Sequence, residues 1–115
     1  MPGYNKYHAK KVVVDGITFA STKEAMRWKK LSAIAKLGGI RNLRRQVPFE
    51  LQPAFKWNGK TVRAIRYIAD FVYEQPDRNG RKVLVVEDAK GYRTEEYKLK
   101  KKLFLFRYGF EITEV

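Results

Sequence analysis

The chain has 115 residues, and its 25 Lys and Arg against 12 Asp and Glu give a net charge of +13. This length supports one hydrophobic core, which predicts a single domain over residues 1–115 with a basic arm at about residues 1–10. The lack of cysteine and the single histidine exclude disulfides and zinc sites built on Cys or His, and no apolar run is long enough for a membrane span or a signal core.

A short strand over residues 11–14 is predicted before a turn at Asp15-Gly16, and the first helix follows to about Leu37. Ser21 with Glu24 three residues later is typical of a capping box, in which both side chains bind free backbone N–H groups at a helix start. A glycine pair directly after Leu37 supplies a left-handed stop. The apolar residues that recur at helical spacing in between are Trp28, Leu31, Ile34 and Ala35.

Three strands are predicted in the middle of the chain. The first, from Arg44, alternates apolar and polar residues, and its Pro48 indicates a sheet edge or a bulge. Asn58-Gly59 predicts a hairpin turn before one long strand over residues 61–74. After a second turn, residues 82–88 are apolar on both faces, as expected for a central strand that is covered on both sides.

The second helix is predicted to begin at Thr94, with two glutamates at the positive end of its dipole, and to end at Gly109. A last strand over residues 110–115 completes a strand-helix-strand passage of the length of a parallel crossover. The order helix-strand-strand-strand-helix-strand predicts an α/β domain with a mixed central sheet flanked by helices. The stripe of the second helix that is predicted to be buried consists of Leu99, Leu103 and Phe106.

Charged residues interrupt two of the predicted strands. Asp70 is a lone carboxylate in an apolar and aromatic stretch, and a lone charge is costly to bury without a partner. Side chains alternate across a strand, so Asp88 and Lys90 share a face if the extended backbone continues to residue 90. An antiparallel hairpin around residues 76–80 would place Asp70 level with Asp88, within reach of Glu24 from the first helix. Two carboxylates and one lysine would then converge.

Such a cluster suits Mg²⁺, with Mn²⁺ as a substitute, because these cations prefer oxygen ligands. Hydrolysis of a phosphodiester needs a cation of this kind, and a lysine can orient the water or stabilise the phosphate. The net charge predicts a polyanionic partner, and the interleaving of basic and aromatic residues favours nucleic acid over a membrane surface. The predicted DNA contacts are Lys98, Lys101 and Lys102 in the second helix, and Arg45 and Gln46 in the first strand of the sheet.

Each of these residues also has a structural explanation. Glu24 serves the capping box whether or not it is catalytic. Asp70 could be the buried partner of Arg63 or Arg66. A one-residue bulge would bring Glu87 to the face of the metal in place of its neighbour. Lys90 and the lysines of the second helix could simply be solvent-exposed. Arg45 and Gln46 could simply be residues at the end of a strand.

Asp70, followed by Asp88-Ala89-Lys90 at the end of an apolar strand and preceded by a helical Glu24, resembles the PD-(D/E)XK nuclease superfamily and, within it, the Holliday-junction resolvases. Over nearly its whole length the chain looks like a family of small phage-encoded proteins assigned to that superfamily. Ala69 stands where the superfamily's name places proline. The segments that carry the closer likeness are FASTKEA, RQVPFEL, RYIADFVYE and VVEDAKGYRTEEYKLKKK.

The resemblance implies a restriction-endonuclease-like core in which Asp70 and Asp88 bind the metal, Lys90 is the catalytic lysine and Glu24 is the helical acid. The carbonyl of Ala89 would complete the coordination. The implied activity is that of a Mg²⁺-dependent endonuclease that leaves 5′-phosphates and prefers the four-way Holliday junction, in a bacterial host cytoplasm. Symmetric cutting of a junction requires two active sites, which implies a homodimer.

Two rival interpretations stay open. One is a nicking or repair-type nuclease that acts on duplex DNA. The other is a non-catalytic basic DNA-binding protein whose acidic residues serve only packing.

Overall fold

The computed structural model describes residues 11–89 and 93–115. The basic arm predicted at residues 1–10 and the predicted catalytic lysine, Lys90, lie outside the described residues. Along the described chain the elements are β1 (Val12–Val14), β2 (Ile17–Phe19), α1 (Thr22–Lys36), β3 (Arg41–Gln52), β4 (Phe55–Trp57), β5 (Lys60–Val62), β6 (Ile65–Pro76), β7 (Lys82–Asp88), α2 (Glu95–Tyr108) and β8 (Thr113–Glu114).

The central sheet has four strands in the order β3-β6-β7-β8. β6 is antiparallel to both β3 and β7, whereas β8 is parallel to β7. The predicted mixed α/β architecture with a parallel connection through α2 is thereby confirmed. β3 is an edge strand, which explains how it accommodates Pro48, a residue without a backbone N–H to donate. Neither helix in the described part of the chain is long and apolar enough to cross a membrane.

Two small hairpins lie outside this sheet. β1 and β2 pair across the predicted Asp15-Gly16 turn. Asn58-Gly59 forms the other predicted turn, with φ angles of 51° and 73° that suit a two-residue hairpin. The prediction of one long strand over residues 61–74 was wrong, because the residues after this turn pair back onto β4 as β5, and β6 begins only at Ile65.

The ends of α1 follow from its sequence. Ser21 Oγ accepts a hydrogen bond of 3.1 Å from Glu24 N, and Glu24 Oε1 accepts one of 3.2 Å from Ala20 N. At the other end Gly38 has a φ of 83°, and the Gly39 N–H reaches back to the Ile34 carbonyl at 2.9 Å. This is the left-handed helix ending that the glycine pair predicts.

Each face of the sheet packs against one helix. The α1 side holds Phe19, Ala25, Leu31, Ile40, Phe71, Tyr73 and Ala89. The α2 side holds Leu51, Tyr67, Ala69, Val72, Val86, Tyr97, Phe104 and Ile112.

The predicted buried stripe of α2 was largely wrong. Leu99 and Phe106 are exposed, the latter by 89%, and Leu103 is half-buried. The helix instead turns Tyr97 and Phe104 inward, because Phe104 fits among the aromatic rings of the α2-side core. The apolar spacing in the sequence is compatible with either rotation, and the aromatic packing selects one of them.

The last strand is shorter than predicted and is tied to α2 by Glu114. Glu114 Oε2 accepts hydrogen bonds from the Tyr97 hydroxyl at 2.7 Å and from Lys101 Nζ at 3.0 Å, and Arg93 forms an ion pair with the other oxygen. These polar contacts join β8 to the first turns of α2 and to the residue that precedes its cap.

Replacing Glu114 by glutamine should therefore lower stability at neutral pH and have little effect in acid. The Tyr97 hydrogen bond, assisted by Lys101 and Arg93, holds the pKa of Glu114 below its ordinary value of 4.5. Because the folded-state pKa is the lower one, the stabilisation is present above the unfolded value and is lost as the pH falls through the folded value. Urea denaturation of both proteins at about pH 7 and about pH 3 measures the difference, and an equal deficit at both would contradict this expectation.

Candidate functional site

Gln46 has a left-handed backbone, with a φ of 51°, in the middle of β3. A non-glycine residue in this region costs on the order of 1–3 kcal/mol and persists only where surrounding structure holds it. The ladder between β3 and β6 steps over Gln46 and the residue opposite it, Asp70, and resumes on either side. β3 has a second left-handed residue, Asn42, and register shifts near both of its ends, but Gln46 is the left-handed residue that lies opposite a carboxylate, Asp70, where the ladder is interrupted.

β6 is distorted at the same level. Ala69 packs in the α2-side core, whereas Phe71 packs in the α1-side core. Residues two apart share a face in a regular strand, so the alternation breaks at Asp70. Irregularities of this kind re-aim a side chain, and here the re-aimed side chain is the carboxylate of the predicted site.

A hydrogen-bond network holds that carboxylate in place. Gln46 Nε2 donates to Glu24 Oε2 at 3.0 Å and, more weakly, to Asp70 Oδ1 at 3.4 Å. The backbone N–H of Ala89 donates to Asp70 Oδ2 at 2.7 Å. The network therefore joins one residue each from α1, β3 and β6 to the residue that follows β7, and the Gln46 amide contacts both Glu24 and Asp70. Ala89, proposed from the resemblance as a carbonyl ligand, meets Asp70 through its N–H.

Asp88 is fully buried and accepts a hydrogen bond of 2.6 Å from the Tyr67 hydroxyl at Oδ2. Burial raises the pKa of Tyr67, and the hydrogen bond to Asp88 raises it further. The charge of Asp70 adds to the same effect, so both carboxylates act on this one hydroxyl. Asp70 is thus linked to Glu24 through the Gln46 amide, and to the backbone next to Asp88 through the Ala89 N–H.

Glu87 points to the opposite face of β7 and is also fully buried. Arg27 donates two hydrogen bonds to the Glu87 carboxylate, from Nε at 2.8 Å and from Nη2 at 2.6 Å, and the Tyr73 hydroxyl donates a third. The hydrogen bond to Glu87 raises the pKa of Arg27, while burial and then this same carboxylate raise the pKa of Tyr73 to about 12. Glu87 is therefore committed to the α1-side core, and the face that it shares with Tyr73 is not that of Asp88.

The donor set of the site consists of oxygen. Glu24, Asp70 and Asp88 are carboxylates, which fit Mg²⁺ or Mn²⁺ better than softer metals. Within residues 11–89 and 93–115, no three acidic or histidine side chains are grouped so that they could hold a metal ion. Glu24 reaches the site from α1 and Asp88 contacts the α2-side core, so the two approach from different faces of the sheet. Coordination of one ion by all three stays a prediction.

The predicted DNA contacts fall into two groups. In α2, Lys98 pairs with Glu95 at 2.9 Å, Lys101 is bound to β8, and Lys102 is exposed. In β3, Arg45 lies over the ring of Phe19, 4.5 Å from its centroid, and Gln46 belongs to the carboxylate network. Lys102 is therefore the predicted contact most available to a phosphate, while Gln46 gains a positioning role.

Three partners of buried acids were not anticipated from the sequence: Tyr67, which donates to Asp88, and Arg27 and Tyr73, which donate to Glu87 on the other face. Arg27 is 60 positions from Glu87 along the chain, and no spacing rule joins them. The aromatic residues of β6 alternate with small and polar ones, which identifies a strand but not the hydroxyls that meet buried acids. Only the pairing of β6 with β7, which the sequence does not give, shows which tyrosine hydroxyl meets which buried acid.

Comparison with known proteins returns no match among the curated proteins and none among the solved structures. A protein-family model does match, from residue 4 to residue 113 and thus over nearly the full length. The chain belongs to that family, which is described as "Protein of unknown function (DUF1064)".

Proposed function

We propose that the protein is a metal-dependent DNA endonuclease with a restriction-endonuclease-like core, in which Asp70 and Asp88 bind a divalent cation. The observation that carries the proposal is the distortion at Gln46 and Asp70. Two neighbouring strands depart from regular geometry at one level, and the result is a carboxylate held beside the end of β7. Backbone strain of this kind clusters at functional sites, where surrounding contacts maintain it.

The chain's own residues have distinct parts in this proposal. Asp70 and Asp88 would hold Mg²⁺ or Mn²⁺, and Glu24 would orient Asp70 through the Gln46 amide. Lys90 is proposed to orient the attacking water or to stabilise the phosphate. When bound, the cation would neutralise charge on the phosphate and lower the pKa of a water molecule. Tyr67 holds the Asp88 carboxylate in a fixed orientation by donating to one of its oxygens.

Branched DNA, and the four-way junction above all, is the proposed substrate. A charge of +13 on 115 residues creates a field that attracts a polyanion. Two symmetric cuts in a junction require two sites, so the proposed active form is a homodimer in the host cytoplasm. Analytical ultracentrifugation should then show a species of twice the 13.5 kDa chain mass.

The wild-type protein should cleave a synthetic four-way junction in Mg²⁺ faster than a linear duplex of equal length and sequence, and should leave 5′-phosphates. The cation requirement predicts that a chelator stops cleavage and that Mn²⁺ restores it. Denaturing gels of end-labelled strands give rates and cut positions for both substrates. Equal rates would favour a nicking or repair-type nuclease, and tight binding without cutting in either cation would overturn the nuclease proposal.

A second candidate is a non-catalytic DNA-binding protein. It is favoured by the partners of the acids, since Glu24 caps α1 and Asp88 accepts the Tyr67 hydroxyl. Under this alternative the carboxylates only stabilise the fold. Substitutions that preserve their hydrogen bonds but remove their charge would then leave every DNA-dependent property unchanged.

A further inference from the structure

The hairpin formed by β4 and β5 exposes large apolar side chains. Trp57 is 68% exposed, Phe55 46% and Val62 36%. The register pairs Phe55 with Val62 and Trp57 with Lys60, so all four side chains lie on one face of the hairpin. Exposed apolar patches with a polar rim mark binding surfaces more often than single exposed residues do.

The charged residues around this face of the hairpin are all positive. From Leu51 to Ala69 the chain contains no acidic residue and four basic ones. These basic residues are Lys56, Lys60, Arg63 and Arg66. A second copy of the chain would bring the same four cations against them, and like charges oppose that contact. A partner with both flat apolar groups and negative charge is complementary.

We propose that the β4–β5 hairpin binds nucleic acid bases that are not stacked within a duplex, with Trp57 as the stacking platform and the neighbouring cations on the backbone. The inference deepens the proposed function and rests on its DNA substrate. Indole rings stack on unpaired bases irrespective of sequence, whereas the base faces of a continuous duplex are covered by their neighbours. A branch point or a splayed end offers such faces, so this hairpin would give the protein its preference for branched DNA.

The hairpin is close along the chain to the strand that carries Asp70. β6 begins at Ile65, two residues after Arg63, which directly follows β5, and Asp70 lies five residues further along the same strand. Five residues of strand span roughly 17 Å. This corresponds to about five base pairs at ~3.4 Å each. Base contact at the hairpin and cleavage at Asp70 would therefore occur a few nucleotides apart.

Trp57 can report on its own contact in a variant with a single tryptophan. The chain has two tryptophans, and Trp28 Nε1 is buried without a hydrogen-bond partner among the described residues, so Trp28→Phe breaks no such bond. In chelator, which prevents cleavage, addition of a four-way junction or a splayed-arm duplex should quench the Trp57 fluorescence more strongly than a blunt duplex does. Equal quenching by all three DNAs, or no response at saturation, would overturn the inference.

In the full wild-type background, Trp57→Ala should weaken junction binding by about 10-fold and leave duplex binding within about 2-fold, on the basis of typical stacking energies. Trp57→Phe should retain most of the junction affinity. Phe106→Ala is the matched control, because it removes another exposed aromatic residue from a different element and should change neither affinity. Loss of both affinities to the same extent in Trp57→Ala would overturn the assignment to unpaired bases.

The outcomes separate this inference from the proposed function. If the wild type cuts junctions and Trp57→Ala binds them as tightly, the hairpin assignment fails and the nuclease proposal stands. If no DNA is cut but Trp57→Ala still loses junction affinity selectively, the nuclease proposal fails and the hairpin assignment stands. A fluorescence response to vesicles of mixed phosphatidylcholine and phosphatidylserine, without a response to DNA, would assign the hairpin to lipid and overturn the inference.

Discussion

Replacing Asp88 by asparagine should slow cleavage of a four-way junction by about 1,000-fold or more while leaving junction affinity within about 3-fold. The amide keeps an oxygen that can accept the Tyr67 hydrogen bond, so the buried contact survives. It removes the negative charge that would bind the cation. Single-turnover cleavage in Mg²⁺ and gel-shift titration in chelator measure the two quantities separately.

Tyr67→Phe is the matched control for Asp88→Asn. It removes the hydroxyl that donates to Asp88 but keeps the carboxylate, so cleavage should fall much less, by about 10-fold at most. Mn²⁺ binding followed by electron paramagnetic resonance supplies a readout other than activity. The wild type and Tyr67→Phe should bind the ion, and Asp88→Asn should bind it weakly. Cleavage by Asp88→Asn at the wild-type rate would contradict the metal-ligand assignment.

Among the proposed variants, Arg27→Ala should lower the free energy of unfolding the most, by about 3 kcal/mol. Glu87 is fully buried, and Arg27 supplies two of its hydrogen bonds and its compensating charge. Removal of one partner from a buried ion pair leaves an uncompensated charge, which costs about 3–5 kcal/mol. The lower end applies because the Arg27 side chain is 23% exposed. Urea denaturation at neutral pH measures the change in the free energy of unfolding.

Three further variants show whether this loss comes from the buried charge. Tyr73→Phe removes one hydrogen bond from Glu87 and should cost only about 1–2 kcal/mol. The double variant Arg27→Met with Glu87→Gln removes the charge together with its partner and should recover much of the loss. Arg78→Ala, in the exposed turn after β6, should stay within about 0.5 kcal/mol of the wild type. A double variant as unstable as Arg27→Ala would contradict the buried-charge explanation.

Local chemistry determined much of the element order. Ser21 with Glu24 marks the start of α1, and Gly109 takes the left-handed conformation that ends α2. Asn58-Gly59 forms its hairpin turn. Each of these signals acts through hydrogen bonds or dihedral angles within a few residues, so the sequence alone contains the information. The sequence also suggested that Glu24 could reach the predicted metal site, and in the structure one Gln46 amide contacts both Glu24 and Asp70.

The tertiary structure decided which face of its element each side chain occupies and which residues it contacts. A regular alternation of side chains along β6 does not predict the distortion at Asp70, which lies opposite the left-handed Gln46 where the β3–β6 ladder is interrupted. The partners of Glu87 come from a helix 60 positions away and a neighbouring strand, and the rotation of α2 depends on the aromatic core around Phe104. A sequence pattern records which residues favour burial within one element. Which buried groups then meet depends on packing between elements, where one distortion redirects a carboxylate.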